Sequence, residues 1–204
     1  KSDNQTFNIQ QDGSLVINDD FFANLDNQQN VLAAYAQYGN AIGKFQYFAG
    51  LRLESSNMDI KFLTTDDRIK KNYTDLFPTA TLNYTFNEKN ELQLSYSKRI
   101  RRPMGFMLNP FFSATDDHNI RRGNPDLDPN KSHQLSLNFS NFDRKTRQGI
   151  NANFTYTYNQ SSIVNYSSVD ENLITRSTYT NIEGNYNVNA GFFYSKQLSK
   201  SGNK

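Results

Sequence analysis

The sequence predicts an all-β chain: part of an antiparallel up-and-down transmembrane β-barrel, a partial barrel of about seven or eight strands from a larger one. Three observations lead there. Apolar and polar residues alternate with a period of two in several separate segments. The chain is polar overall yet rich in aromatic residues. The connections between segments alternate between short and long.

Composition frames the first two observations. Hydrophobic residues make up only 36% of the 204 residues, and the mean hydropathy is −0.79, values that alone would suggest disorder. A disordered chain does not carry 16 Phe and 12 Tyr. The conflict disappears if apolar residues occupy every second position, giving each strand one greasy and one wet face.

Taken in order, a weak strand signal precedes Asp20, a possible eighth segment. A run from Val31 to Tyr38 follows, with a turn around Gly39-Asn40. Phe45, Tyr47, Ala49, Leu51 and Leu53 then alternate with Gln46, Phe48, Gly50, Arg52 and Glu54. From Thr79 to Phe86 the alternation is strict, with Ala80, Leu82, Tyr84 and Phe86 on one face. Asn87-Glu88-Lys89-Asn90 makes a polar turn, and Leu92, Leu94 and Tyr96 complete a hairpin. His133, Leu135, Leu137 and Phe139 form another face, as do Ile150 to Tyr158 and Tyr186 to Tyr194 at every second residue.

Short turns are expected near 38–44, 86–91 and 142–149, and a hairpin tip near 169–173. Long polar stretches are expected over 55–72 and 103–132. Short turns at one end and long loops at the other is how outer-membrane barrels are built, and a soluble sandwich has no such bias. The wet faces are Asn, Thr, Gln and Ser more than Lys and Glu, which suits a hydrated lumen. Tyr and Phe near strand ends suit an interfacial girdle, although Trp is absent. Lys98, His133 and Lys196 fall on the greasy register near strand ends, where they can snorkel to the interface.

Other classes are set aside on composition. The longest apolar run, Val31 to Ala36, falls far short of the roughly 20 residues of a membrane helix. With 22 basic and 20 acidic residues dispersed along the chain and a net charge of +2, nothing draws it to nucleic acid. Zero Cys removes disulfide frameworks and thiol nucleophiles and is compatible with export. Lys1-Ser2-Asp3-Asn4-Gln5 lacks a signal pattern, so the chain is expected to be an excised piece, with residues 1–204 part of one barrel domain.

Lys98-Arg99-Ile100-Arg101-Arg102 holds the densest positive charge. Periodicity places Arg99 and Arg101 with Gln93, Ser95 and Ser97 at the lumen mouth, facing loop carboxylates or an anionic ligand, with local ion pairing the stronger expectation. Arg121 and Arg122 in the following loop join them as candidate ligand contacts. Asp116-Asp117-His118, with His133, lacks any recognised metal spacing and reads as a loop turn, and Asp66-Asp67 is weaker still. Ser113 with His118 has nothing to orient a base, so no catalytic set is expected. Triplets such as Asn83-Tyr84-Thr85 arise from Asn and Thr sharing one strand face rather than as glycosylation acceptors.

From Leu76 to Leu127 the sequence resembles the C-terminal barrel portion of TonB-dependent receptors, and especially the related outer-membrane β-barrel protein family. Ser95-Tyr96-Ser97-Lys98-Arg99-Ile100-Arg101-Arg102-Pro103 is similar to that family's strand-to-loop signature. Leu108-Asn109-Pro110-Phe111 and Gly123-Asn124-Pro125-Asp126-Leu127-Asp128-Pro129 follow in the family's order. Ala49-Gly50-Leu51-Arg52-Leu53-Glu54 resembles another recurring barrel strand, Phe77-Pro78 resembles the start of the next, and weaker similarity runs from about Asn30 to the end. The loop motif Asn109, Pro110, Gly123, Asn124 and Pro125 belongs outside the sheet on physical grounds too, since proline would break a ladder.

The resemblance implies a barrel of about 22 strands in the outer membrane of a Gram-negative cell, closed around an N-terminal plug and opened through the TonB complex. Neither plug nor TonB box is visible here. The partners implied are outer-membrane lipid, the remaining strands and plug, TonB, and a large nutrient such as a metal chelate, glycan or peptide. No cofactor, resident metal or nucleic acid is implied. An outer-membrane scaffold or adhesin, a soluble sugar-binding β-sandwich and an outer-membrane hydrolase are the competing readings.

Overall fold

The computed structural model describes residues 7–9, 15–17, 25–63, 66–110, 112–116 and 118–197. Two three-residue strands, β1 (Phe7–Ile9) and β2 (Leu15–Ile17), pair with each other. The expected strand before Asp20 is therefore a short hairpin rather than a wall strand. The wall is one sheet whose long members are β3 (Leu25–Ile42), β4 (Phe45–Phe62), β5 (Arg68–Asn87) and β6 (Asn90–Arg101). After an excursion come β9 (Asn130–Asp143), β10 (Gln148–Val169) and β11 (Thr175–Lys196). Within the excursion lie a one-turn helix α1 (Gly105–Leu108) and the short strands β7 (Phe112–Asp116) and β8 (Asn119–Arg122). The sheet order is β3-β4-β5-β6-β9-β10-β11-β8-β7. Every long neighbour is antiparallel, and β8 joins β11 in parallel.

The turn end follows the sequence closely. Gly43, at φ +60°, and Lys44 close β3 to β4, so the turn lies past the expected Gly39-Asn40, which stay in β3. The Asn87 side-chain oxygen accepts from the backbone N–H groups of Lys89 (2.9 Å) and Asn90 (3.1 Å) to close β5 to β6. Asp143 Oδ1 accepts from the Lys145 N–H at 2.8 Å and closes β9 to β10. Lys89 Nζ reaches Asp143 at 2.9 Å, tying adjacent turns together.

The lower wall carries its apolar residues outward. Leu51, Leu53, Leu76, Leu82, Leu94, Leu135, Leu137, Phe154 and Val188 are all exposed. Their registered neighbours across the sheet are apolar too, as in Leu82↔Leu94 and Leu94↔Leu137. Leu82, Tyr84, Leu92 and Leu94 are not sealed in a core. Phe45 to Leu53 gives one strand's apolar band, matching the roughly 9–11 residues with which a tilted strand crosses a bilayer. Rings pack along the band's turn-side rim, Phe45 tilted against Tyr84 at 4.5 Å and Tyr84 edge-to-face with Phe86 at 4.7 Å between ring centres. On the inward face polar side chains bond across strands, Ser136 with Thr155 at 3.2 Å and Asn159 with Asn185 at 2.6 Å.

Above the band the pattern inverts, and here the structure corrects the sequence reading. The stretch 55–72 is not a long loop: β4 and β5 run on in register, from Ser55↔Thr74 to Lys61↔Arg68, leaving only residues 63–67 between strands. Alternation continues with opposite phase, Met58, Ile60 and Phe62 facing inward and Asn57, Asp59 and Lys61 outward. Those three inward residues are buried. Beyond Leu53 the strand projects by nine residues to Phe62, roughly 30 Å at about 3.3 Å each.

The excursion corrects a second expectation, that 103–132 is plain loop. Leu108 and Leu127 pack on Met58, Ile60 and Phe62, with Ile69, Tyr73, Met107, Ile163 and Tyr179 around them. The loop thus folds onto the inward face and forms, with the sheet, the buried core of the described residues. Pro78 is a third correction. It sits inside β5, opposite Leu51, not at a strand start. The β5–β6 ladder ends one residue away, at Thr79↔Ser97, where a residue with no N–H to give can sit without cost to that ladder.

Candidate functional site: the loop-covered lumen mouth

Arg102, not Arg99 or Arg101, is the charged centre of this region. Its Nη1 lies 2.8 Å from Glu54 Oε1 and its Nη2 3.1 Å from Asp75 Oδ2. All three side chains are largely out of water, at 14%, 7% and 11% exposure. Glu54 also pairs with the more exposed Arg52. The Arg102 guanidinium stands 5.5 Å from the centre of the Tyr73 ring. Glu54 and Asp75 are registered opposite one another on β4 and β5, so Arg102 crosses from the end of β6 to staple the start of the loop to both strands. The Tyr73 hydroxyl and Arg102 Nε are buried without a hydrogen-bond partner among the described residues.

The loop motif acts as a clamp. Gly123 N–H donates to the Asn109 carbonyl at 2.8 Å and Asn124 N–H to the Met107 carbonyl at 2.7 Å. A side chain at Gly123 has no room, because its Cβ would lie 2.5 Å from the Asn109 carbonyl oxygen and 2.6 Å from that of Met107. Asn124 then does two things. Its Oδ1 accepts from the Asp126 N–H at 2.9 Å, shaping the turn at Pro125, and its Nδ2 donates to the Tyr179 carbonyl at 3.1 Å, fixing the loop to β11. Asn181 finishes the attachment, donating to the Asp128 carbonyl at 3.0 Å and accepting the Asp128 N–H at 2.9 Å.

Arg99 lies opposite Ser132 and Arg101 opposite Asn130, both exposed and on the register of Gln93, Ser95 and Ser97. Neither forms an ion pair with a carboxylate of the described residues; Glu54 and Asp75 are held by Arg102. Arg121 and Arg122 sit elsewhere, on β8 beyond β11. Four strand spacings, roughly 19 Å, separate β6 from β8 along the sheet, so the four arginines do not form one group. Arg122 Nε donates to the Pro110 carbonyl at 2.8 Å. Arg122 also lines a cleft of about 370 Å³ with Tyr166 and Arg176.

Asp117 lies outside the described residues, as do the side chains of Ser113 and Asp116. The His118 carbonyl accepts the Thr175 N–H at 2.7 Å. Among the described residues no group of three His, Cys, Asp or Glu is placed to hold a metal. Asp66 pairs with Lys61 at 2.6 Å and the Asp67 carbonyl accepts the Phe62 N–H at 2.9 Å, so this acidic pair closes a turn. Sequence reasoning missed Arg102, Glu54, Asp75 and the inward apolar cluster. The readable signal was Met58, Ile60 and Phe62 at every second position between Asn57, Asp59 and Lys61.

A sheet of long antiparallel strands with an apolar outward band, a polar inward face and loops at one end defines a transmembrane β-barrel wall. Residues 1–203 match the outer membrane protein beta-barrel family, and the chain belongs to it; it is a protein of the Gram-negative outer membrane. A comparison with curated proteins returns no match. Among solved structures the chain is similar to the hemophore receptor HasR of Serratia marcescens, a double mutant in complex with its hemophore HasA and heme. That match has a TM-score of 0.64 at 15% identity and covers 82% of this chain and 31% of that one. It is similar also to the copper transporter OprC, with a TM-score of 0.63 at 13% identity, covering 96% of this chain and 31% of that one. The chain thus spans about a third of either receptor, and at these identities the likeness is one of fold.

Proposed function

We propose that residues 1–204 form part of the barrel domain of a TonB-dependent importer, whose plug and TonB-contacting segment lie elsewhere in the full-length protein. The observation carrying this reading is the loop of residues 103–129, folded back over the inward face and stapled there by Arg102 while Arg99 and Arg101 stay unneutralised beside it. A scaffold barrel has no need of a structured, charged lining inside its mouth. The two receptors of similar fold, one for a hemophore and one described as a copper transporter, support import as the activity. The cargo is a large nutrient with anionic groups, such as a metal chelate, acidic glycan or peptide, and Arg99 and Arg101 are its first contacts at the mouth. The activity is carriage, not catalysis.

The test is energised uptake in cells. A strain lacking the full-length gene is screened against iron chelates, oligosaccharides and peptides, with and without TonB. Loss of growth on one class, restored by the native gene only when TonB is present, supports import. Arg99→Glu with Arg101→Glu should then weaken cargo binding while leaving a folded barrel. Growth on every class unaffected by loss of the gene refutes the importer reading.

A further inference from the structure

We propose that one level of the inward wall, Tyr35, Arg52, Phe77 and Arg99 on β3 to β6, is a binding row for a linear acidic oligosaccharide. The inference rests on the import reading only in taking the inward face as the path of the cargo. Register brings the four residues together from separate strands. Tyr35 is paired with Arg52, and Arg52 with Phe77. Phe77 and Arg99 each stand two residues beyond Thr79↔Ser97, the last pair of the β5–β6 ladder, and Arg102 reaching Asp75 at 3.1 Å keeps the two strands together above them. From Arg99 the row continues to Ser132, Asn159 and Asn185. It runs one level below Glu54 and Asp75, beneath the root of the folded loop.

The composition of this level differs from the one beneath it. There the same four strands carry Gln37, Gly50, Thr79 and Ser97, small or amide side chains suited to a hydrated lumen. In the row itself a ring alternates with a guanidinium from strand to strand. Tyr35 is 77% exposed, an unfavourable state for a ring on a wet face until something flat covers it. Arg52 stands 5.9 Å from the centre of the Phe77 ring, half-exposed, with Glu54 as its partner. Glu54 is shared with Arg102, so Arg52, Arg99 and Arg102 have two carboxylates among them, Glu54 and Asp75, and positive charge is left over.

The alternation fits a chain of ringed anions. Aromatic faces take the C–H faces of sugar rings, and guanidiniums grip carboxylates with two parallel hydrogen bonds. Arg52 and Arg99 are two strand spacings apart, roughly 9.4–9.8 Å, about the length of a disaccharide unit, with Phe77 between them. Beyond Arg99 the row offers a hydroxyl and amides. Asn159 Nδ2 donates to Asn185 Oδ1 at 2.6 Å, which leaves the Asn159 side-chain oxygen to accept from a sugar hydroxyl. A planar metal chelate would use the rings and arginines but has no hydroxyls for that second half.

The experiment is calorimetric titration of the full-length protein in detergent with short linear oligouronates, of galacturonate and of mannuronate, beside their methyl esters and a ferric tris-catecholate. At least one acid should bind, and its uncharged ester much more weakly. Tyr35→Leu and Phe77→Leu keep apolar bulk but lose the flat face, and should each weaken binding at least about 5-fold, the low end for one stacked ring. Tyr35→Phe and Phe77→Tyr should retain it. Arg52→Gln should weaken the acid about 10-fold and narrow the gap between acid and ester. Thr81→Ala, two levels lower on the same face, should change little.

No binding of either acid overturns the proposal. So does binding unchanged in both leucine variants, the mark of rings that only pack against the rest of the protein. Tighter binding of the tris-catecholate than of either acid, lost in the same variants, would reassign the row to a chelate and overturn it too. Titration in detergent needs no TonB, so the two readings fail separately. Absent uronate binding beside TonB-dependent growth on another nutrient removes the row alone, and uronate binding by a protein whose loss leaves all growth unaffected removes import alone.

Discussion

Replacing Arg102 with methionine leaves Glu54 and Asp75 facing one another under the loop with only the half-exposed Arg52 to offset them. The native guanidinium contacts both carboxylates, at 2.8 Å and 3.1 Å, and all three side chains are at most 14% exposed. Removing one partner from so buried a group typically costs 3–5 kcal/mol, because the remaining charge is stranded. Most of that cost should fall on docking of residues 103–129, since Glu54 and Asp75 lie in strands held by long ladders. At about 1.4 kcal/mol per tenfold, the loop should open at least a hundred times more often. Hydrogen exchange on the intact protein in detergent reads this directly, with the amides of Gly123 and Asn124 as reporters of the clamp. The triple variant Arg102→Met, Glu54→Gln, Asp75→Asn removes every charge of the staple and should recover most of the lost protection. Exchange within threefold of native in the single variant, or a triple variant as open as the single, would refute the staple.

Gly123→Ala forces a methyl into three backbone atoms within 2.7 Å and should cost at least about 1–3 kcal/mol, read as a lower thermal midpoint, whereas Gly43→Ala meets open space and pays only for its φ of +60°. Leu94→Arg places a charge on the lipid face and should destabilise the barrel by about 2–4 kcal/mol near the midplane, measured by heat-dependent mobility in gels. Ser95→Arg, on the inward face, should be tolerated better; equal damage from both would contradict the facing of β6. Asp170 accepts hydrogen bonds from the Ile174 and Asn172 N–H groups and from Arg176, which hold its carboxyl below the usual carboxylate range. Its folded value is depressed, so its contribution is full above the unfolded value of about 3.9 and is lost as pH falls below it. Exchange at residues 170–174 should therefore rise below about pH 4 in the native protein and not in Asp170→Asn.

The lower wall was legible because one rule governs it. Lipid outside and water inside force Leu82, Leu94 and Leu137 to one side of their strands, and a period of two can be read without knowing any partner. Above Leu53 the surroundings exchange roles: solvent bathes the outward face and the folded loop covers the inward one. Met58, Ile60 and Phe62 keep the same period in the opposite phase, which from sequence alone looked like the end of a strand. Pro78 misled in a similar way, since its place inside β5 depends on where the ladder to β6 stops.

The candidate site divides along the same line. The loop motif was recognisable, and Gly123 and Asn124 prove to be its clamp for reasons of space and hydrogen bonding. Which arginine would be neutralised was not readable. Arg99, Arg101 and Arg102 are near-identical in sequence context, and the carboxylates that choose among them lie 27 residues upstream or more. Periodicity carries no information about contacts at that separation.

The parallel pairing of β8 with Thr175, Arg176 and Ser177 of β11 has a bearing on how the protein is made. The excursion departs after β6 but its landing place is synthesised about fifty residues later. Until the β10–β11 hairpin exists, Leu108 and Leu127 lack Tyr179 and Ile163 to cover them, and Asn124 has no carbonyl to grip. The mouth therefore acquires its full lining late, as the final hairpin comes in and locks it, and a chain stalled after β9 would present a partly covered, greasy flap, held at its root by Arg102 but not yet by β11, to whatever machinery was handling it.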